Sequence, residues 1–156
     1  MKPKFDPDRI DWKIIELLQR NARMTNTEVG KIVGLSQPAI TARIRLLEEA
    51  GVIEAYAARI NPRALGQEIT AIIRLKTTHE KISLCLKSFD RIPEILEAHR
   101  ITGDDCFIVK ATVAHMPRLE AVIDALAKFG SVTTSLVLAS YKPKPIVAPG
   151  PREKSM

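Results

Sequence analysis

Apolar residues recur at helical spacing in the first third of the chain. After Asp8 they occupy positions that share one face of a helix: Ile10, Ile14, Leu17 and Leu18. Asp8 and Asp11 suit a helix start, because carboxylates accept hydrogen bonds from its free N–H groups and complement its dipole. The pattern predicts an amphipathic helix that ends near Asn21.

Two further helices follow, separated by a tight turn. Thr25-Asn-Thr-Glu28 matches the capping box, and Gly34 ends the second helix because glycine accepts the left-handed conformation. Ser36 begins the third helix, which runs to Gly51. Its apolar residues face inward: Ile40, Ile44 and Leu47. Two helices joined in this way predict a helix-turn-helix, whose second helix can enter the major groove of DNA.

The next segment, residues 52–60, is short and alternating. It predicts a small two-strand wing, which Asn61-Pro62 ends. Residues 1–62 are therefore interpreted as a winged helix-turn-helix DNA-binding domain, with the helix-turn-helix itself at 26–45. Residues 63–67 are interpreted as a linker.

Beyond residue 68 the spacing of the apolar residues changes: segments with the period of a strand alternate with segments with the period of a helix. Half-buried strands are predicted at residues 69–76, 95–101, 107–113 and 132–141. One helix begins near Ile82, and another begins at Pro117 and ends at Gly130. The order β-α-β-β-α-β predicts an antiparallel sheet with both helices on one face. The chain is thus α+β, with this domain at 68–141 and a proline-rich, flexible tail at 142–156.

Composition favours a polyanionic partner, since the formal net charge is +6 and the pI is near 9.5. Cys85 and Cys106 lie too far apart for a metal knuckle, and neither comes with a convincing base for nucleophilic catalysis. No stretch approaches the roughly 18 apolar residues of a membrane span, and the start lacks the apolar core of a secretory signal. The sequence predicts a cytoplasmic protein without membrane association, metal, cofactor or catalytic residues.

The exposed face of the third helix supplies the candidate DNA contacts. With the apolar residues of this helix inside, Thr41 and Arg45 face outward and Gln37 leads the helix. No acidic residue occurs between Gln37 and Leu47, where a carboxylate would face phosphates. The candidate DNA-binding residues are Thr25, Asn26, Ser36, Gln37, Thr41, Arg43 and Arg45.

Some of these assignments have structural alternatives. Arg43 lies on the flank of the helix, where it can contact a phosphate or pair with a carboxylate such as Glu28. Ser36 is expected to act mainly as the N-cap, with its hydroxyl still near the DNA backbone. The whole segment also suits a plain three-helix core, because helix pairs are common.

Four strings of residues together resemble one family of bacterial and archaeal regulators. They are Asp8-Arg-Ile-Asp11, Leu18-Gln-Arg-Asn-Ala-Arg23, Val33-Gly-Leu-Ser36 and Arg43-Ile-Arg-Leu-Leu-Glu48-Glu-Ala-Gly-Val-Ile53. The set resembles the leucine-responsive regulator/asparagine regulator (Lrp/AsnC) family over about residues 8–140. The resemblance implies sequence-specific binding of operator DNA and a ferredoxin-like second domain, in agreement with the predicted order of strands and helices.

The resemblance also implies homodimers paired through the sheets, often assembled into octamers, with an amino acid or related metabolite bound where dimers meet. Carried onto this chain, the effector-binding positions are Thr102, Gly103, Asp104, Asp105, Cys106, Thr133 and Thr134. Carboxylates can hold the ammonium of an amino acid, and hydroxyls and N–H groups can hold its carboxylate. Some members have a carboxylate in place of Cys106, and Gly103-Asp104 also suits a plain tight turn.

A DNA-binding transcriptional regulator modulated by a small metabolite is the leading hypothesis. An enzyme is the second, because sirohaem decarboxylases resemble this architecture. Their chemistry needs gathered histidine and arginine side chains, whereas His99 and Arg100 are adjacent on a strand and point to opposite faces. A ligand-binding module that acts through protein partners is the third, without a dedicated motif.

Overall fold

The computed structural model describes residues 5–141 and 143–149. Contacts divide the chain into two units, of which the second is Arg59–Tyr141. The first unit combines the residues before Arg59 with those after Tyr141. The tail thus groups with the first unit, and the division falls slightly before the predicted boundary at residue 62.

Three helices build the first unit: α1 (Arg9–Arg20), α2 (Asn26–Val33) and α3 (Gln37–Glu49). Asp8 and Asp11 form a reciprocal capping box on α1, and Thr25 and Glu28 form another on α2. Gly34 ends α2 in the left-handed conformation with a φ of 77°. Both capping signals and the glycine stop are therefore confirmed.

A small apolar core holds the three helices together. Its buried members are Ile14, Val29, Ile40, Ile44 and Leu47, which include the three predicted on α3. Gly30 lies where α2 approaches the turn, and a Cβ there would come within 2.5 Å of the Leu35 carbonyl oxygen. The Leu35 N–H also donates to the Gly30 carbonyl at 3.0 Å. The turn between α2 and α3 therefore depends on the absence of a side chain at residue 30.

An ion pair joins α3 to the start of α1. Arg43 Nη1 lies 2.8 Å from Asp8 Oδ2 and 2.6 Å from Asp11 Oδ1. The hydrogen bond from the Asp11 N–H and that from Arg43 hold the pKa of Asp8 below its ordinary value of 3.8. The ion-pair alternative for Arg43 is thus found, with Asp8 and Asp11 in place of Glu28. The Glu28 carboxylate instead accepts from the Thr25 N–H.

Residues 52–60 differ from the predicted two-strand wing. They form no strand within residues 5–141 and 143–149. The Tyr56 hydroxyl donates to Glu48 Oε1 at 2.8 Å, and desolvation together with this carboxylate raises the pKa of Tyr56 to about 12. Apolar alternation favours an extended segment, but a strand also needs a neighbour that takes its backbone hydrogen bonds.

The second unit is a four-stranded antiparallel sheet with two helices. Its strands are β1 (Ile69–Thr77), β2 (Ile95–Arg100), β3 (Phe107–Val113) and β4 (Gly130–Leu136), in the spatial order β2-β3-β1-β4. Its helices are α4 (Ile82–Phe89) and α5 (Met116–Ala127), with short 3-10 turns at Pro62–Leu65 and His79–Lys81. One core takes alternate residues of the strands together with Cys85 and Phe89 of α4 and Leu119, Val122 and Leu126 of α5. Both helices therefore cover the same face, as predicted.

The last strand ends earlier than residue 141. The Val137 N–H donates to the Thr70 carbonyl at 2.8 Å, next to the first residue of β1. Beyond this point β1 offers no further partner, and Leu138 and Tyr141 are 91% and 90% exposed. The predicted strand at 132–141 was too long because its apolar pattern continues past the end of its neighbour.

The tail was predicted to be flexible throughout, and part of it lies outside the described residues. Residues 143–149 contain no helix or strand, but Ile146 hydrogen-bonds with Gln19 of α1. Among the residues that the structure describes, no helix is long and apolar enough to cross a membrane. The same residues contain no cluster of His, Cys, Asp and Glu side chains that would hold a metal ion.

Replacing Gly30 should destabilise the first unit. We expect Gly30→Ala to lower the free energy of unfolding by about 1–3 kcal/mol, because the new methyl group forces the Leu35 carbonyl away. Urea unfolding followed by the fluorescence of Trp12 in α1 measures the change. The neighbouring exposed substitution Lys31→Ala is the control and should stay within about 0.5 kcal/mol. A variant Gly30→Ala as stable as the wild type contradicts this account of the turn.

Acid should weaken the first unit through Asp8. The pKa of Asp8 is lower in the folded chain than in the unfolded chain. Asp8 therefore stabilises the fold at pH values above its unfolded-state pKa, and this stabilisation is lost as the pH falls through its folded-state pKa. We expect the Asp8→Asn variant to have a lower free energy of unfolding than the wild type at neutral pH. Its free energy of unfolding should also fall less than that of the wild type when the pH drops below 3.8. Urea midpoints over a pH series measure both effects. Asp6→Asn, outside this ion pair, should follow the wild type, and parallel acid profiles for all three proteins argue against the role of Asp8.

Candidate functional site

One exposed side of α3 brings together most of the predicted DNA contacts. We name it the α3 face, and its residues are Gln37, Pro38, Thr41, Ala42 and Arg45, bordered by Leu46 and Glu49. The opposite side of the helix carries the buried Ile40, Ile44 and Leu47. The α3 face is therefore held outward by the packing of its own helix.

The Thr41 hydroxyl organises the leading end of this face. It accepts from Asn26 Nδ2 at 2.9 Å and from Gln37 Nε2 at 3.0 Å, and it donates to the Gln37 carbonyl at 3.0 Å. A hydroxyl has one donor and two acceptor sites, so these three bonds use all of them. Thr41 therefore orients Asn26 and Gln37, and its methyl group is the part left for an outside contact.

Arg45 is the cationic residue of the α3 face. Its side chain is 77% exposed, and its Nε lies 2.7 Å from Glu49 Oε1, one helical turn further on. A guanidinium has five N–H donors, and the other four make no hydrogen bond to the described residues. Arg45 can thus offer a bidentate contact to a phosphate or to a guanine edge while Glu49 holds its near side.

Ser36 and Thr25 differ in what their hydroxyls do. Ser36 occupies the N-cap position of α3, but its side chain makes no capping hydrogen bond, unlike the prediction. Its exposed hydroxyl thus remains free for a phosphate as far as the described residues show. Thr25 accepts from the Glu28 N–H at 3.2 Å and donates to Glu28 Oε2 at 2.8 Å, so its hydroxyl serves the capping box.

Arg43 does not belong to the α3 face. Its guanidinium turns towards α1 and is held there by Asp8 and Asp11, and its side chain is only 30% exposed. The two carboxylates raise the pKa of Arg43, since its hydrogen bonds to Asp11 and Asp8 stabilise the charged form. The structure therefore favours the ion-pair alternative for Arg43, and a contact of Arg43 with DNA stays a prediction.

In the second unit, the loop before β3 meets the open face of the sheet. Asp105 Oδ2 lies 3.8 Å from Arg74 Nε of β1, and Thr133 of β4 is directly opposite Arg74 in the strand register. Side chains of register partners point to the same side of a sheet, so these three residues share one face. A cation, an anion and a hydroxyl at this spacing can hold the two charged groups of a zwitterion.

The other predicted effector residues are dispersed. Thr134 pairs with the buried Ile73, so it points to the opposite face from Thr133. Cys106 packs against the core, and its thiol donates to the Thr77 carbonyl at 3.2 Å. The turn residues Thr102, Gly103 and Asp104 are exposed, and Gly103 has a φ of 115°. Thr134 and Cys106 thus lie apart from the face that Arg74 and Thr133 share, and their part in effector binding stays a prediction.

Two residues of these sites were missed from the sequence. Arg74 had a signal, because the strand alternation of β1 already placed it on the polar side, across from the helices. Glu49 had a weaker one: it lies four residues after Arg45, which is the spacing of helical ion pairs. Arg74 joins the candidate effector site by pairing with Asp105, and Glu49 joins the α3 face by pairing with Arg45. The sequence alone did not identify either pair.

Two protein families match successive parts of the chain. A family described as "Winged helix-turn-helix DNA-binding" matches residues 7–54, and one described as "Lrp/AsnC ligand binding domain" matches residues 70–147. The winged helix-turn-helix is thus shown as a domain type, although residues 52–60 form no strand in the described structure.

Similar proteins are named as transcriptional regulators and not as enzymes. The HTH-type transcriptional regulator FL11 of Pyrococcus furiosus is 36% identical over 138 residues, covering 86% of this chain and 91% of that protein. The uncharacterized HTH-type transcriptional regulator YezC of Bacillus subtilis is 38% identical over 133 residues, covering 85% and 94%. The second hypothesis of the sequence analysis, an enzyme, is therefore set aside.

Solved structures give the same architecture. LrpC of Bacillus subtilis superposes with a TM-score of 0.84 at 25% identity, covering 90% of this chain and all of that one. The transcriptional regulator NMB0573 of Neisseria meningitidis, solved as a complex with L-Met, gives a TM-score of 0.83 at 28% identity, covering 92% and 97%. The chain belongs to the Lrp/AsnC family of transcriptional regulators, with a winged helix-turn-helix DNA-binding domain and an Lrp/AsnC ligand-binding domain.

Proposed function

We propose that the protein binds specific operator sequences through the α3 face and that a small metabolite, an amino acid, changes its DNA affinity or assembly. The observation that carries the proposal is the exposure of Arg45 and Gln37 on an outward helix face whose apolar side is fully packed. A helix presented in this way fits a major groove about 12 Å wide.

The contacts divide by chemistry. Arg45 supplies the charged contact, with its free donors directed to a guanine edge or a phosphate. Gln37 and Asn26 supply neutral amides that Thr41 has already oriented, which reduces the side-chain entropy lost on binding. Ser36 adds a hydroxyl beside the first turn of α3. In this proposal, specificity for the operator sequence comes from these few side chains in their fixed orientations and not from the net charge of the protein.

Operator recognition by this fold also requires two copies. We propose a homodimer paired through the open face of the sheet, opposite α4 and α5, with octamers as a further assembly. Ile72 and Ile108 contribute apolar surface to that face, and Lys110 pairs with Glu97 across two of its strands at 2.7 Å. A dimer presents two α3 faces to half-sites about one helical turn apart.

The proposed effector site is the Arg74, Asp105 and Thr133 cluster. At 3.8 Å, the pair between Arg74 and Asp105 is loose, so an amino acid can insert its carboxylate towards Arg74 and its ammonium towards Asp105. The complex of the Neisseria meningitidis regulator with L-Met supports an amino acid as the ligand class. The side chain of the bound amino acid would then determine which amino acid binds best.

Removal of Arg45 should weaken specific DNA binding. We expect Arg45→Ala to lower affinity for a duplex selected by the wild type from a random pool by roughly 10- to 100-fold, with a shallower salt dependence. Fluorescence anisotropy titrations at several salt concentrations measure both. Glu49→Gln should act in the opposite direction, because it removes a carboxylate near the phosphates.

The matched control for Arg45→Ala is Arg91→Ala, which removes an exposed arginine from the other unit. Circular dichroism and urea unfolding establish that both variants fold. If Arg45→Ala and Arg91→Ala bind the selected duplex as the wild type does, the α3 face is not the DNA contact.

The effector site should respond to amino acids in a charge-dependent way. We expect at least one of the twenty amino acids to raise the Tm of the wild type, and both Asp105→Asn and Arg74→Met to lose that increase. The first variant removes the partner of the ammonium and the second removes the partner of the carboxylate. A thermal-shift screen at neutral pH measures the effect. Asp104→Asn, an exposed neighbour, is the control, and an unchanged response in Asp105→Asn refutes the site.

A further inference from the structure

Within residues 143–149, Ile146 of the tail hydrogen-bonds with Gln19 of α1. Gln19 Nε2 donates to the Ile146 carbonyl at 2.8 Å, and Gln19 Oε1 accepts from the Ile146 N–H at 2.8 Å. One side-chain amide therefore takes both main-chain groups of one tail residue, as a neighbouring strand does in a ladder. The contact lies inside the first unit, although the two residues are 127 positions apart.

Ile146 lies at an apolar groove of about 580 Å³, which we name the α1 groove. One wall is α1, with Trp12, Ile15 and Leu18 among its residues, and the other wall is the segment 52–57 that follows α3. That segment makes no strand in the described chain, and its residues from Val52 to Ala57 line the groove. The groove and the anchoring amide thus occupy the same side of α1.

The tail sequence suits docking as an extended segment. Prolines at 143, 145 and 149 flank Ile146-Val147-Ala148. Proline fixes its own φ and restricts the residue before it to extended conformations, so little conformational entropy is lost when such a segment docks. Proline also lacks an N–H group, so residues 143, 145 and 149 cannot donate from the main chain, whereas Ile146 can.

We propose that the α1 groove is a docking site for the chain's own tail, anchored by Gln19 and Ile146, and that the docked tail is a reversible latch on the DNA-binding domain. The tail follows β4 in the sequence and groups with the first unit, so docking holds the tail against α1. The contact is small, because Ile146 and Val147 remain 72% and 68% exposed, and it therefore opens readily. Control of the latch by an effector near Thr133 of β4 rests on the function proposed above.

Trp12 reports directly on the latch, because it is the chain's one tryptophan and lines the α1 groove. We expect a chain that ends at Pro145 to show acrylamide quenching of Trp12 roughly twice that of the full chain, and Gln19→Ala to shift it in the same direction. Gln37→Ala is the matched control and should quench as the wild type does, because Gln37 is an exposed glutamine of the same unit whose amide bonds to Thr41 and to none of residues 143–149.

Hydrogen exchange gives a second measurement on the full chain. The Ile146 N–H should exchange roughly tenfold more slowly than expected for an unstructured peptide, and Gln19→Ala should remove this protection. Both measurements use the protein without DNA or amino acid, so their failure is separate from failure of the proposed function. An unprotected Ile146 N–H together with unchanged quenching after truncation overturns the latch.

A mixture of chains decides whose tail occupies the groove. The chain that ends at Pro145 has an intact Gln19 but no Ile146, and the Gln19→Ala chain has an intact tail. After the two are mixed and allowed to exchange subunits, we expect the quenching of Trp12 to remain the average of the separate samples. A return towards the wild-type value assigns the groove to the tail of a second copy and overturns docking within one chain.

Discussion

The ion pair of Arg43 with Asp8 and Asp11 joins α3 to the start of α1, and together with the buried residues of α3 it determines which side of that helix is exposed. Ser36 gives α3 no side-chain cap, so the first turn of this helix gains nothing from a local signal. Its rotation is instead fixed on one flank by Arg43 and on the other by apolar packing around Gly30. Asp8 and Asp11 also cap α1, so the same carboxylates start one helix and orient another. The α3 face depends on this shared use of two side chains.

The sequence predicted best those features whose cause lies within a few residues. Capping boxes, the stop at Gly34 and the order of strands and helices all follow from local spacing, and the structure confirms them. The early end of β4 was not predictable in this way, because β1 begins at Ile69 and so limits its partner from across the sheet. Residues 52–60 show the same effect, since alternation describes a strand but cannot supply the neighbour it requires.

In the candidate sites, too, features with a local cause were predicted and features that depend on a distant partner were not. A helical wheel correctly placed Thr41 and Arg45 outward, because three buried residues fix the inside of α3. It did not identify what those side chains bind within the protein, since the partners of Thr41 include Asn26 on another helix. In the second unit, the resemblance to a family offered Thr133 and Thr134 together, whereas the pleat of a strand puts them on opposite faces. The proposed effector site uses Arg74 and not Thr134, because Arg74 lies near Asp105.

Gln19 connects these observations to the tail. It lies on the exposed side of α1, one residue before the helix ends at Arg20, and nothing in its sequence context distinguishes it from a solvated residue. Its amide nevertheless pairs with both main-chain groups of Ile146, and such a pair recognises a backbone and not a side chain. Backbone recognition is weak per residue and tolerant of sequence, which suits a contact that must open. A strongly buried side chain in the α1 groove would instead fix the tail permanently and remove any regulatory use.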